Sequence, residues 1–152
     1  MPRGRLAELQ RLCRRLGVDS RITFRPGGDQ PEVLQLLHRA HVAAVPLLAV
    51  DRNTRQGCCP LKLLEAMAAG TPVIASDLPV VRELSQPDVH FLPARAGDAR
   101  NLKNGLLRMA EEIELRHTLS AAARQHVATN LTWRSSLDQL VELYTELLEE
   151  RK

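Results

Sequence analysis

Leu6, Leu9, Cys13 and Leu16 recur at steps of three and four residues. That spacing places them on one helical stripe with arginines around it, and Gly17 is placed to stop the helix. Arg21 to Phe24 reads as a short strand ended by Pro26, Gly27 and Gly28. Pro31 opens a helix through Val33, Leu36, Leu37 and Ala40. His41 to Pro46 is a continuous apolar run of strand length, the kind produced by a sheet covered on both faces. A polar loop from Val50 to Cys59 leads to Pro60 and a helix closed by Gly70. Thr71 to Ala75 predicts another buried strand, with Pro72 at a position where it is tolerated. Asp77, Leu78 and Pro79 start a short helix to Leu84, His90 to Pro93 is a last strand, and Asp98 is set to cap the next helix. Helices are predicted over 98–110, 111–128 and 133–150. In the last of these, Leu137, Leu140, Val141, Tyr144, Leu147 and Leu148 form a stripe expected to be core.

Strands alternating with helices imply an α/β fold: a Rossmann-like parallel sheet of about four strands, helices on both faces and a helical C-terminal segment. The reading is of one domain over 1–152, with a lead-in helix at 1–20, an α/β part at 21–93 and a helical part at 94–152. The runs at 42–46 and 72–75 should lie side by side. In such sheets ligands bind outside the carboxyl ends of the strands, which directs attention to the loop 47–60.

Composition narrows the classes. With 152 residues, 44% hydrophobic and 26% charged, the chain can bury a core, which argues against disorder or a disulfide scaffold. No run approaches a membrane span and the first ten residues hold no apolar secretory segment, so a cytoplasmic location is expected. Cys13, Cys58 and Cys59 have neither disulfide nor zinc spacing, and the histidines at 38, 41, 90, 117 and 126 form no ligand pattern. No metal site is expected. The net charge is +3, but residues 1–25 hold seven arginines against Glu8 and Asp19, leaving that segment at +5 and the rest at −2. Such a patch suits anionic lipid headgroups at the cytoplasmic face or, more plainly, a solvated helix face. Nucleic acid is not expected, because only four aromatic residues are available for stacking.

The candidate chemistry lies in residues 57–79, GCCPLKLLEAMAAGTPVIASDLP. A helix beginning at Pro60 offers free N–H groups and a positive dipole end to a phosphate. Glu65 is the acid of this apolar helix, one turn in, with Lys62 three residues before it. A carboxylate there can accept hydrogen bonds from ribose hydroxyls. The competing reading is a surface acid paired with Lys62.

This stretch resembles the donor-binding half of the retaining, two-Rossmann-domain (GT-B) glycosyltransferases of group 1. That family carries an acid, seven residues, a second acid, then A-M-A-x-G-x-P-V-(V/I)-A-(S/T). Glu65 followed by Ala66 to Ser76 fits the second half, and Cys59 to Glu65 is similar to a subgroup with S-P-L-K-L-x-E. Arg21–Phe24 with Gly27, His41–Pro46, and Trp133 with Tyr144 resemble flanking parts of the same pattern, so the likeness spans residues 21–149.

The resemblance implies that Glu65 binds the nucleotide's ribose and that the N–H groups of Leu61 and Lys62, following Pro60, meet the diphosphate. The Lys62 ammonium would add charge, and Gly27 would allow close backbone approach or simply serve its turn. The substrate would be a nucleoside-diphosphate sugar, with no cofactor or bound metal, since helix dipole and cations neutralise the leaving diphosphate. Catalytic residues are not assigned. The first acid of the family pair falls at position 57, which is Gly57.

By the same resemblance the chain begins after the family domain's first two strands, an N-terminally truncated, incomplete GT-B C-terminal domain without the acceptor-binding half. A missing acceptor domain or partner chain is therefore expected. Three readings stand: the donor half of a longer or split glycosyltransferase, a non-catalytic nucleotide-sugar-binding or interaction module, and an α/β protein sharing only this text.

Overall fold

The computed structural model describes residues 3–25 and 27–149. The chain divides into two compact units, Met1–Val33 and Leu34–Lys152.

The first unit contains helix α1 (Arg3–Arg15) and a 3-10 turn at Asp19–Arg21. Helix α1 ends as its apolar pattern predicts: Val18 N–H donates to the Cys13 carbonyl at 3.0 Å and Gly17 N–H to that of Arg14 at 3.1 Å, the paired bonds of a Schellman stop. Arg21–Phe24 does not form the expected strand. Ile22 has extended angles, φ −119° and ψ 123°, but a strand exists through its ladder, and among the described residues no strand pairs with this segment. Pro26, part of the predicted turn, lies outside the described residues. Helix α2 (Gln30–Arg39) runs through the boundary between the units. Its start is fixed by the Asp29 carboxylate, which accepts the Glu32 N–H at 2.9 Å.

The second unit is built on three parallel strands, β1 (Ala43–Val45), β2 (Val73–Ser76) and β3 (Leu92–Ala94), in that spatial order. Among the described residues the sheet has three strands where about four were expected, because 21–24 forms no ladder. Ala44 pairs with Ile74 and Ala75 with Pro93, so the two apolar runs are neighbours. All four residues of β2 are buried, as a central strand covered on both faces must be.

Alternation along β2 divides the core. Val73 and Ala75 pack with Leu63, Ala66 and Met67 of α4 (Leu61–Ala68), Val80 and Val81 of α5 (Pro79–Arg82), and Ala123 and Val127 of α7 (Ile113–Asn130). Ile74 packs instead with Leu92, Ala94 and Leu119 and with Met109 of α6 (Ala99–Glu111). Helices thus cover both faces. Helix α4 stops at Gly70, whose N–H meets the Met67 carbonyl while Thr71 N–H meets that of Ala66. The Thr71 hydroxyl then donates to the Leu37 carbonyl at 2.8 Å, fixing α2's last turn to the start of β2.

Two further differences from the sequence reading concern helices. The polar loop contains a short helix, α3 (Asp51–Thr54). Helix α8 (Trp133–Glu149) starts at a reciprocal Thr132–Ser135 cap, but the stripe expected to be core is exposed. Leu137, Leu140, Val141, Tyr144, Leu147 and Leu148 all face solvent, and Trp133 is 87% exposed. Periodicity identifies an apolar face; burial also requires an element against it, and α8 finds none among the described residues.

Candidate functional site

The carboxyl ends of the strands are Val45, Ser76 and Ala94, and the long connection 46–60 leaves the first of them. Its path is set by short side chains. Ser76 Oγ donates to the Leu47 carbonyl at 2.8 Å and Asn53 Nδ2 to the Leu48 carbonyl at 2.8 Å, both donors buried. Arg55 and Gln56 N–H both reach the Asp51 carbonyl, at 2.8 and 3.0 Å. The chain then turns through Gly57, whose φ is 74°. Asn53 carries no signal in the sequence that would single it out. The sequence places Asp77 at the start of α5, yet Leu78 is its N-cap; Asp77 pairs with Arg82 and Ser76 holds the loop. A hydroxyl's partner twenty-nine residues away leaves no local signature.

Pro60 is buried and precedes α4 with φ −77° and ψ 81°. Helix α4 buries Leu63, Ala66 and Met67 and exposes Leu61, Lys62, Glu65 and Ala68. This division follows helical geometry, since residues three apart share a face. Glu65 and Lys62 therefore lie together on the open face, one turn apart. Among the described residues they form no ion pair, and the Glu65 carboxylate accepts no hydrogen bond. The paired-surface-acid alternative is accordingly not realised.

At the mouth of α4, Leu61 N–H donates to the Cys59 carbonyl at 3.0 Å and Leu63 N–H to that of Pro60 at 2.8 Å. The Lys62 N–H has no acceptor among the described residues. The two amides named from the sequence thus differ: one is engaged, one is open beside an ammonium and a carboxylate. An open N–H at a helix start is a donor for an anion.

Gly27 belongs to the first unit; no heavy atom stands within 4 Å of where its Cβ would be. Cys58 is half-buried and Cys59 exposed, both as free thiols. Among the described residues no cluster of three or more His, Cys, Asp or Glu could hold a metal ion, and no helix is long and apolar enough to cross a membrane.

Two concavities open at the carboxyl side of β2 and β3. One, of about 190 Å³, is lined by Pro46, Leu47, Ser76, Arg95, Asp98 and Leu102. The other, of about 430 Å³, is bordered by Asp77, Pro93, Arg95 and Asn101. Neither reaches Glu65. Several of their polar groups are engaged: Asp98 accepts the Asn101 N–H at 2.9 Å, Asn101 Oδ1 accepts the Arg95 N–H at 2.7 Å, and Ser76 serves Leu47; the Arg95 guanidinium is exposed and lies 3.8 Å from Asp98. Next to them, the Arg82 guanidinium donates to both oxygens of Asp77, at 2.5 and 2.8 Å. That hydrogen bonding holds the Asp77 carboxyl below its ordinary value. The face of α4 has the unsatisfied groups that a charged ligand needs.

Residues 2–112 match the family model for glycosyl transferases group 1. D-inositol 3-phosphate glycosyltransferase of Saccharomonospora viridis is 31% identical over 140 residues, taking in 92% of this chain and 31% of that protein. The chain therefore spans about a third of the length of the curated relatives it matches. Among solved structures, sucrose-phosphate synthase of Thermosynechococcus elongatus is similar at a TM-score of 0.78 and 26% identity, over 95% of this chain and 34% of that one. HepE of Anabaena, in complex with UDP and glucose, shares the fold at a TM-score of 0.78 and 21% identity, over 93% of this chain and 36% of that one.

Proposed function

This chain belongs to the glycosyl transferases of group 1, and on that premise we propose that it forms the donor-nucleotide half of a glycosyltransferase. The ligand is a nucleoside-diphosphate sugar at the mouth and open face of α4. Glu65 accepts hydrogen bonds from the ribose hydroxyls, while the Lys62 N–H and ammonium meet the diphosphate. As the bond from the sugar's anomeric carbon to the diphosphate breaks, negative charge grows on the leaving oxygen. A helix start and a cation are suited to stabilising that charge.

The observation that carries this reading is that Lys62 and Glu65 share one exposed face without pairing, beside an amide with no acceptor. The nucleotides bound by structural neighbours, among them UDP and UDP-glucose in Anabaena HepE, support the same class of ligand. Transfer requires the acceptor held in register with the donor, so an acceptor-binding domain or partner chain completes the enzyme. Gly57 at the position of the family's first acid favours a second reading, a nucleotide-sugar-binding module that no longer transfers. Turnover on supplying an acceptor domain separates the two.

Calorimetric titration of the 152-residue chain with uridine and guanosine diphosphate tests the site. Weak binding of one nucleotide is expected, with Glu65→Ala lowering affinity by about tenfold or more. The thermal midpoint should stay nearly fixed, because the side chain is exposed. A Glu65→Ala chain that binds as wild type does removes Glu65 from the site, and binding of neither nucleotide overturns the donor-half reading. Exposed Arg5, Arg11, Arg14 and Arg15 on α1 would in addition meet anionic lipid headgroups. Salt-sensitive sedimentation with phosphatidylserine vesicles, absent with neutral ones, is the expected result.

A further inference from the structure

The histidines show no pattern in the sequence, but folding stacks two of them. His90, in the turn between α5 and β3, and His126 of α7 have ring centroids 4.2 Å apart and planes inclined by 17°. Both are half-buried. His126 Nε2 lies 3.0 Å from the Leu84 carbonyl, which only accepts, so Nε2 carries a proton. Its Nδ1 is 3.1 Å from Asn130 Nδ2. His90 Nδ1 lies 3.0 Å from the backbone nitrogen of Gln86, which only donates, so this ring nitrogen is bare. The His90 backbone N–H returns a bond to the Gln86 carbonyl at 2.9 Å. His90 thereby closes a reciprocal ring with Gln86, and His126 ties the same turn to α7 through Leu84.

The geometry points to a proton-sensitive clasp: protonating His90 opens the 84–91 turn and releases it from α7. A proton on His90 Nδ1 meets the Gln86 N–H head on, and no amide flip can turn that backbone donor into an acceptor. Asn130, by contrast, can turn its oxygen toward a protonated His126. With both rings charged, two cations face each other within a stack.

The turn is poised to respond. Asp88 sits at φ 59°, a left-handed conformation, with its N–H on the Phe91 carbonyl at 2.9 Å. Pro87 bridges to Phe91 just before β3. Surrounding charges do not offset a proton on His90. Glu83 and Asp88 are exposed, the Arg108 guanidinium of α6 is held by Glu112 at 2.9 Å, and Arg124 of α7 lies over Gly70. Burial first, and then the charge of His126, push His90 below its ordinary value of 6.5. The sign follows: the unfolded chain takes up the proton first. The clasp's contribution is complete above pH 6.5 and is lost as pH falls through the depressed value.

The test is an NMR titration of the imidazole signals of the 152-residue chain from about pH 8 to 5, with hydrogen exchange at the Gln86 amide. His90 should titrate below 6.5, and in His126→Gln its midpoint should rise. Gln86 protection, corrected for the intrinsic pH effect, should fall by about tenfold between pH 7.5 and 5.5. The Asn101 amide, capped by Asp98, should keep its protection. A His90 midpoint at or above 6.5, or Gln86 protection that is constant or falls together with that of Asn101, overturns the proposal. The wild-type titration decides the matter even if His126→Gln does not fold.

Discussion

Ser76 and Leu47 join the ends of two strands: the hydroxyl of the last residue of β2 donates to the carbonyl two residues beyond β1, at 2.8 Å. Ser76 is 3% exposed. Ser76→Ala leaves the Leu47 carbonyl without this donor, at an expected cost of about 1–3 kcal/mol. A lower urea midpoint with an unchanged slope is the measurable result. Nucleotide affinity should fall with it, because the same bond sets the path of the loop that delivers Pro60 and α4. A midpoint equal to wild type means that the loop is held by Asn53 alone.

Gly105 marks the closest approach of α6 to the sheet. A Cβ at this position overlaps Ile74 Cδ1 and stands 3.4 Å from Leu92 Cδ2. Ile74 is fully buried and central, so its room to move is small. Helix propensity alone favours alanine here by about 1 kcal/mol. Overpacking costs about 1–3 kcal/mol and should win. Gly105→Ala is expected to lower the thermal midpoint, and the double variant Gly105→Ala with Ile74→Val should recover part of the loss.

How far the sequence reached can be seen from particular residues. The apolar text of 73–75 lies in a strand, Val73–Ser76, buried at every residue, and Gly17, Gly70 and Asp98 end or cap the helices beside them as their residue types predict. These signals are local: a periodicity, a stop, a cap. Arg21–Phe24 had strand text but no partner, and the α8 stripe had helix text but no cover, because pairing and burial depend on other elements. Within the candidate site, the sharing of one exposed face by Lys62 and Glu65 was legible from spacing along one helix. Ser76–Leu47 and His90–His126 were not, since each joins groups about thirty or more residues apart that only the completed fold brings together.

Asp77 gives a pH signature distinct from that of His90. Hydrogen bonding from Arg82 is the main cause of its lowered value, and the 3.8 of an unfolded chain is its reference. The carboxylate's contribution to stability is therefore present above pH 3.8 and is lost as pH falls through the depressed native value. The pair is partly exposed, so the effect is small and weakened by salt. Urea midpoints measured below pH 5 should fall less steeply in Arg82→Gln than in wild type. Equal slopes would show that Asp77 titrates alike folded and unfolded.

Gly57 bears on whether the loop can hold the acid that the family pattern sets there. Its φ of 74° lies in the left-handed region, and no heavy atom is within 4 Å of a Cβ. Space is open; only the backbone objects. A residue with a Cβ costs roughly 1–2 kcal/mol in that conformation, with Asn and Asp best tolerated. Gly57→Ala should therefore lower the thermal midpoint more than Gly57→Asn does. Gly57→Asp supplies the acid to a loop whose path was set without it. The ratio of affinities for a uridine diphosphate sugar and uridine diphosphate should then be the same as in wild type. A ratio that shifts toward the sugar nucleotide would show instead that position 57 already faces the sugar, with only its carboxylate missing.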